Sequence, residues 1–69
     1  MNDKIDFIAY CLEEYKAVKN LTGKEVITLF IKNNIIDYII SCYGVLHTMG
    51  GIAITEDIDS FIRDLQIVK

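Results

Sequence analysis

The sequence contains no proline and no tryptophan, and it has only two cysteines and one histidine among its 69 residues. Cys11 and Cys42 stand alone, without Cys-x-x-Cys spacing, so a zinc site would need carboxylates to complete its four ligands. We therefore expect no metal and no other cofactor. Both cysteines fall on apolar helix faces, a pattern that predicts buried, reduced thiols rather than a disulfide.

Basic residues are also few, since seven lysines and arginines stand against ten acids and give a net charge of −3. Nucleic-acid binding usually needs a basic stripe that displaces counterions from phosphates, and the sequence contains none. The same shortage argues against binding to an anionic membrane surface. We therefore expect neither a nucleic acid nor a membrane as a partner.

The sequence shows no targeting or membrane-spanning segment. Its first four residues lack the basic and apolar regions of a signal peptide. The longest apolar run, Ile35 to Leu46, is interrupted by Asp37 and Ser41 and is too short to cross a bilayer. These features predict a cytoplasmic protein made of one domain that covers residues 1–69.

What the sequence has in excess is apolar side chains. They make up 52% of the residues, and thirteen of them are isoleucine. A chain of this length buries only about 60% of the surface that its unfolded form exposes, so a monomer has little room for them. Either the core is well filled, or part of the apolar surface is covered by another protein or by a second copy of the chain.

The apolar residues recur at helical spacings, and this periodicity predicts an all-α fold of four helices. The first runs from Asp3 to Val18 and the second from about Gly23 to Lys32. The third runs from Ile35 to Thr48 and is mostly apolar on all sides, which places it at the centre of a compact four-helix bundle. The fourth follows a short extended link, Ile52 to Ile54, and begins at a cap, Thr55.

The second predicted helix has marked ends. Thr22 and Glu25 have the spacing of a capping box, in which each side chain bonds the backbone amide of the other residue. Asn33 and Asn34 end the helix, because asparagine tolerates left-handed backbone geometry. Helical periodicity assigns three residues to the inner face of this helix: Val26, Ile27 and Phe30.

His47, the single histidine, lies near the end of the third predicted helix. It could serve as a general base, or it could bond a terminal carbonyl or an acid such as Asp57 and so hold the turn in place. The acids at the start of the fourth helix, among them Asp57 and Asp59, could form a catalytic or cation-binding pair or could simply complement the helix dipole. No serine or cysteine adjoins His47, and we predict no catalytic residues and no metal site.

The second half of the chain carries a family resemblance in Tyr43-Gly44-Val45-Leu46-His47-Thr48, Gly50 and Glu56-Asp57-Ile58. These stretches resemble a family of short bacterial proteins described as a domain of unknown function, numbered thirty-seven ninety-one. The resemblance extends to the first half, at residues 7–13 and 23–26. It implies no catalytic residues, because none are established for the family. Members are often encoded beside proteins that resemble ADP-ribosyltransferase-like toxins, which implies an antitoxin-like or regulatory partner of a neighbouring-gene protein.

Three functions stand as alternatives. The first is a protein-binding module that occludes or tethers a partner, with candidate contacts at Tyr43, His47, Thr48, Gly50, Asp57 and Asp59. The second is a structural homodimer that buries the surplus isoleucine surface. The third is a small enzyme in which His47 acts with Asp57 or Asp59. Because a recognisable catalytic set is missing from the sequence, we expect a binding protein and not an enzyme.

Overall fold

A computed structural model describes residues 3–67, and within that range the chain forms five α-helices and no strand. The helices are α1 (Asp3–Lys19), α2 (Gly23–Lys32), α3 (Ile35–Ser41), α4 (Tyr43–Leu46) and α5 (Gly51–Ile67). The Cα radius of gyration is 11.4 Å, as expected for a folded domain of this length. The predicted all-α class is thus confirmed. None of the helices in residues 3–67 is both long and apolar enough to span a bilayer.

The helix α1 is the element on which the others assemble, because α2, α3 and α5 all pack against it. Its buried residues, Cys11 and Tyr15, lie one turn apart. The ring of Tyr15 meets Phe30 of α2 edge to face, with the ring centroids 5.4 Å apart. The later helices complete the core with five buried side chains: Ile35, Ile39, Leu46, Ile54 and Ile58.

The capping box predicted for α2 is confirmed. The Glu25 amide donates to Oγ1 of Thr22 over 3.1 Å, and the Thr22 amide donates to Oε1 of Glu25 over 2.9 Å. At the other end, Nδ2 of Asn33 donates to the carbonyl of Leu29, and Asn34 has left-handed geometry at φ 56° and ψ 36°. Local polar chemistry therefore sets both ends of α2 at the predicted residues.

The single third helix predicted from Ile35 to Thr48 is wrong. Cys42, with φ −106° and ψ 17°, leaves helical geometry and separates α3 from α4. Gly44 lies inside the short α4, where a glycine costs about 1 kcal/mol relative to alanine. After the break, Leu46 is buried in the core while Val45 remains exposed.

This region also differs from the predicted central helix. Its buried residues, Ile35 and Ile39, form one stripe, whereas Ile36 and Ile40 are exposed to solvent. The helix α1 packs more extensively against its neighbours than α3 does. A chain this small builds one thin core, and it has no second layer of helices to enclose an apolar segment on every side.

The extended link predicted from Ile52 to Ile54 and the cap predicted at Thr55 are wrong as well. The helix α5 already begins at Gly51, and Thr55 lies buried inside it, where its Oγ1 donates to the Gly51 carbonyl over 2.9 Å. Ile54 and Ile58 are both fully buried. A helix that includes both residues places them on one face, so core packing extends α5 toward its N-terminus.

A close approach between α1 and α5 explains the glycine at position 51. The carboxylate of Glu14 lies against it, and a methyl group added to Gly51 would be only 1.7 Å from Oε1 of Glu14. The Glu14 carboxylate also lies at the N-terminal end of α5, where the helix dipole favours negative charge. Gly51 thus admits a favourable contact that a larger residue would displace.

The two cysteines are free, in agreement with the predicted reduced thiols. Cys11 is buried, and burial raises the pKa of its thiol to about 11. Cys42 is only half-buried, because it lies at the break between α3 and α4 rather than inside a helix face. The Cys11 thiol therefore stays protonated at neutral pH and acts as a small apolar core group.

Thr22→Ala should lower the free energy of unfolding by about 1 kcal/mol, because it removes the hydroxyl that accepts the Glu25 amide at the start of α2. Urea denaturation followed by circular dichroism measures this change. Thr22→Ser retains the hydroxyl and serves as the control, with a loss well below that of alanine. Equal losses in the two variants would show that the cap bond does not stabilise α2.

Candidate functional site

The two predicted acids of α5 lie in contacts between helices. Asp59 accepts a hydrogen bond from the Tyr15 hydroxyl over 2.5 Å and a second one, from Nζ of Lys19, over 2.6 Å. Asp57 accepts a hydrogen bond of 2.5 Å from the Tyr38 hydroxyl. Because Tyr15 and Lys19 lie on α1 and Tyr38 lies on α3, the two carboxylates hold α5 against two other helices.

The electrostatics of these contacts favour the charged carboxylate of Asp59 and the protonated phenols of Tyr15 and Tyr38. Burial raises the pKa of Asp59, but hydrogen bonds from Lys19 and Tyr15 and the charges of Lys19 and Arg63 outweigh it and bring that pKa below its ordinary value. Burial and the bond to Asp59 raise the pKa of Tyr15, and burial and the bond to Asp57 raise that of Tyr38. Both acids are thus engaged in structural bonds at neutral pH.

His47 makes its contacts within its own turn of chain. Its Nδ1 lies 2.7 Å from the carbonyl oxygen of Tyr43, and its ring stacks on the Tyr43 ring with centroids 4.8 Å apart. The hydrogen-bond partners of Asp57 and Asp59 are tyrosines and a lysine. The structure therefore contains the predicted bond from His47 to a carbonyl near a helix end, and it does not pair His47 with either acid within residues 3–67.

The remaining predicted contact residues lie around the end of α4. Tyr43 is half-buried and meets Phe7 of α1 edge to face, with centroids 5.3 Å apart. Oγ1 of Thr48 donates to the carbonyl of Val45 over 2.7 Å, and Gly50 is exposed. The predicted set therefore divides into a group at the α4 turn, exposed except for the half-buried Tyr43, and two acids that lie between helices.

The described residues offer little to hold a metal or an enclosed ligand. Within residues 3–67, no group of three or more His, Cys, Asp or Glu side chains could hold a metal ion. A recess of about 380 Å³ lies on the surface of α2, lined by Lys24, Glu25, Thr28, Leu29 and Lys32. All five lining residues come from one helix, so no second element closes over a bound molecule.

The sequence prediction missed a set of exposed isoleucines. Ile27, predicted on the inner face of α2, is 47% exposed, and Ile31, one turn later, is 65% exposed. Ile36 and Ile40 repeat the arrangement on α3, with 37% and 39% exposure. The signal was present in the spacing, because α2 carries two apolar lines with a four-residue step and only the line of Val26 and Phe30 faces the core.

Comparisons with known proteins identify a family but no characterised relative. The model of the family described as "Protein of unknown function (DUF3791)" matches residues 6–64. No curated protein and no solved structure matches the chain. The matched range contains all of α2, α3 and α4, most of α1 and α5, and every candidate contact residue named above.

Asp59→Asn should lower the free energy of unfolding at pH 7 by about 1–2 kcal/mol, because it removes a partly buried charge that accepts bonds from Tyr15 and Lys19. Asp64→Asn removes an exposed acid from the same helix and is the matched control, with an expected change within about 0.5 kcal/mol. Chemical denaturation measures both changes. Equal effects would contradict the structural role of Asp59.

The free energy of unfolding should depend on pH through the hydrogen-bonded pair of Asp59 and Tyr15. The lowered pKa of Asp59 gives stability that is complete above the ordinary carboxyl value near 3.9 and is lost as pH falls through the folded value. The raised pKa of Tyr15 gives stability that is complete below about pH 10 and is lost as pH rises toward the folded value. Chemical denaturation at a series of pH values measures this dependence. Compared with the wild type, Asp59→Asn should lose less unfolding free energy at acid pH, and Tyr15→Phe should lose less at alkaline pH. Variants whose stability changes with pH just as the wild type does would refute this prediction.

Proposed function

The chain belongs to the DUF3791 family of proteins of unknown function, and we propose that it is a protein-binding module that occludes or tethers a partner. The observation that carries this proposal is the pair of exposed isoleucine lines, Ile27 with Ile31 on α2 and Ile36 with Ile40 on α3. Single exposed apolar residues are ordinary on protein surfaces. Pairs that repeat along two successive helices instead give a continuous apolar edge on each, which is typical of interaction surfaces.

The core does not need these isoleucines. Each of the five helices already contributes at least one fully buried side chain, and the buried cluster contains residues from all of them. Complete burial of a fully exposed isoleucine side chain is worth about 1.5–3 kcal/mol, and these four are 37–65% exposed, so each leaves roughly half of that driving force unused. A partner that covers them would recover part of it after the costs of association.

The exposed group at the α4 turn extends the proposed contact surface. Tyr43 and His47 form a stacked pair there, and Thr48 and Gly50 lie beside them at the surface. Tyrosine is enriched among residues that dominate binding energy, because its ring brings apolar area together with a polar tip. The two acids of α5 contribute indirectly, because they hold the helices that carry the surface.

The family resemblance directs the search for the partner. Members are often encoded beside proteins that resemble ADP-ribosyltransferase-like toxins, so the partner we propose is the product of such a neighbouring gene, with this chain as its antitoxin-like or regulatory subunit in the cytoplasm. Nothing in this assignment requires catalysis by the chain itself. Occlusion of the partner's active site or tethering of its domains would be sufficient.

The test is co-expression with the neighbouring gene product, followed by affinity capture and a binding measurement. The product should co-purify with the wild-type chain and with Ile5→Ser, which removes an equally exposed isoleucine from α1. Ile27→Ser combined with Ile31→Ser should weaken binding at least about tenfold, since it removes apolar contact area from the proposed surface. All variants should retain wild-type helical content by circular dichroism.

Two outcomes would overturn the proposal. A chain that captures no neighbouring product and sediments as an inert monomer has no partner of this kind. A chain that sediments as a homodimer, and becomes monomeric when Ile27 and Ile31 are replaced, uses the same surface for self-association, which is the structural alternative.

A further inference from the structure

We propose that α2 is the helix that contacts the partner, and that it binds an amphipathic helix whose apolar face is flanked by acidic residues. This inference rests on the protein-binding function proposed above and adds the location and the chemistry of the contact. It is carried by the arrangement of lysines and apolar side chains on the solvent face of α2 and by the shape of the recess there.

The solvent face of α2 is ordered in lines along the helix. Lys24, Thr28 and Lys32 follow one another at four-residue spacing and therefore lie on one line. Ile27 and Ile31 form the adjacent line on one side, and Glu25 and Leu29 form the line on the other side. The line of two lysines is thus bordered by isoleucines on one side and by a glutamate and a half-buried leucine on the other.

Within residues 3–67, neither Lys24 nor Lys32 forms an ion pair, whereas Lys16 pairs with Glu13 and Lys19 pairs with Asp59. Glu25, the acid in the recess lining, accepts a hydrogen bond from the Thr22 amide and stays charged, so the lining carries two lysine charges against one carboxylate. A chain with a net charge of −3 therefore carries a local positive face on α2, which complements an acidic partner.

The shape of the recess favours a helix over a small molecule. Small-molecule sites enclose most of the ligand surface, whereas this recess is lined by α2 alone. Ten residues of helix are about 15 Å long, which suits a partner helix of about three turns laid alongside with anchors at four-residue spacing. Glutamates beside those anchors would lie opposite Lys24 and Lys32.

Two other occupants fit the charges less well. A symmetric contact with a second copy of the chain through α2 would bring the lysines of the two copies together, which is unfavourable. An anionic membrane would attract Lys24 and Lys32, but it would repel the acids that give the chain its net negative charge. An amphipathic helix with flanking acids is the occupant that could place apolar side chains on Ile27 and Ile31 and carboxylates opposite Lys24 and Lys32.

The experiment is an NMR titration of the ¹⁵N-labelled full chain with two synthetic amphipathic peptides. The peptides share one leucine face and differ only in the residues beside it, which are glutamates in one and lysines in the other. The acidic peptide should shift amides of α2 first and should bind at least about fivefold more tightly than the basic one. Lys24→Glu combined with Lys32→Glu should reverse that preference, whereas Lys16→Glu on α1 should leave it unchanged.

Three results would overturn the inference: no shifts with the acidic peptide, equal affinity for both peptides, or shifts centred on the α4 turn. Preferential binding of α2 to vesicles that contain phosphatidylserine would assign the face to a membrane instead. A binding measurement with the neighbouring gene product distinguishes failure of this inference from failure of the proposed protein-binding function. If that product binds the doubly charge-reversed chain as tightly as wild type, protein binding stands and only the assignment to α2 falls.

Discussion

The packing of α5 against α1 is the contact on which the rest of the structure depends. It joins the first and last helices of residues 3–67, which approach closely where Glu14 lies beside Gly51 and are held further along by the bonds of Tyr15 and Lys19 to Asp59. Between these points the buried residues of the two helices meet in one core cluster. Without α5, a chain of this size would lose much of its only core, and the marginal stability of small domains leaves little margin for such a loss.

The packing of α5 also accounts for the positions of Asp57 and Asp59. The acids that a sequence reader would place in an active site are occupied in holding α5, because Asp57 and Asp59 bond tyrosines of α3 and α1. These bonds lie in the contacts of α5 with α1 and α3 and do not use the exposed isoleucines of α2 and α3. The apolar and charged side chains exposed there include Ile31 and Lys32. On α3, the exposed Ile36 and Ile40 share a helix with Tyr38, which makes the structural bond to Asp57.

How well each part was predicted follows from the range of the interactions that form it. The bounds of α2 were predicted correctly because the bonds of Thr22 and Asn33 that mark its ends reach at most four residues along the chain. The start of α5 was missed because the burial of Ile54 extends the helix, and that burial requires other helices to be in place. Likewise, the bond of His47 to a nearby carbonyl was foreseen as an alternative, whereas the partners of Asp57 and Asp59 lie 19 to 44 residues away.

The sequence alone determined the all-α class, the family resemblance and the helices whose ends are marked by local capping, because periodicity and short-range hydrogen bonds act between residues a few positions apart. Only the tertiary structure decided which of two apolar lines on a helix faces inward. Val26 and Ile27 are neighbours with similar apolar side chains, yet one is buried and the other is exposed. Periodicity specifies a spacing and not a direction, and the direction comes from the neighbouring helix that packs against one line and leaves the other exposed.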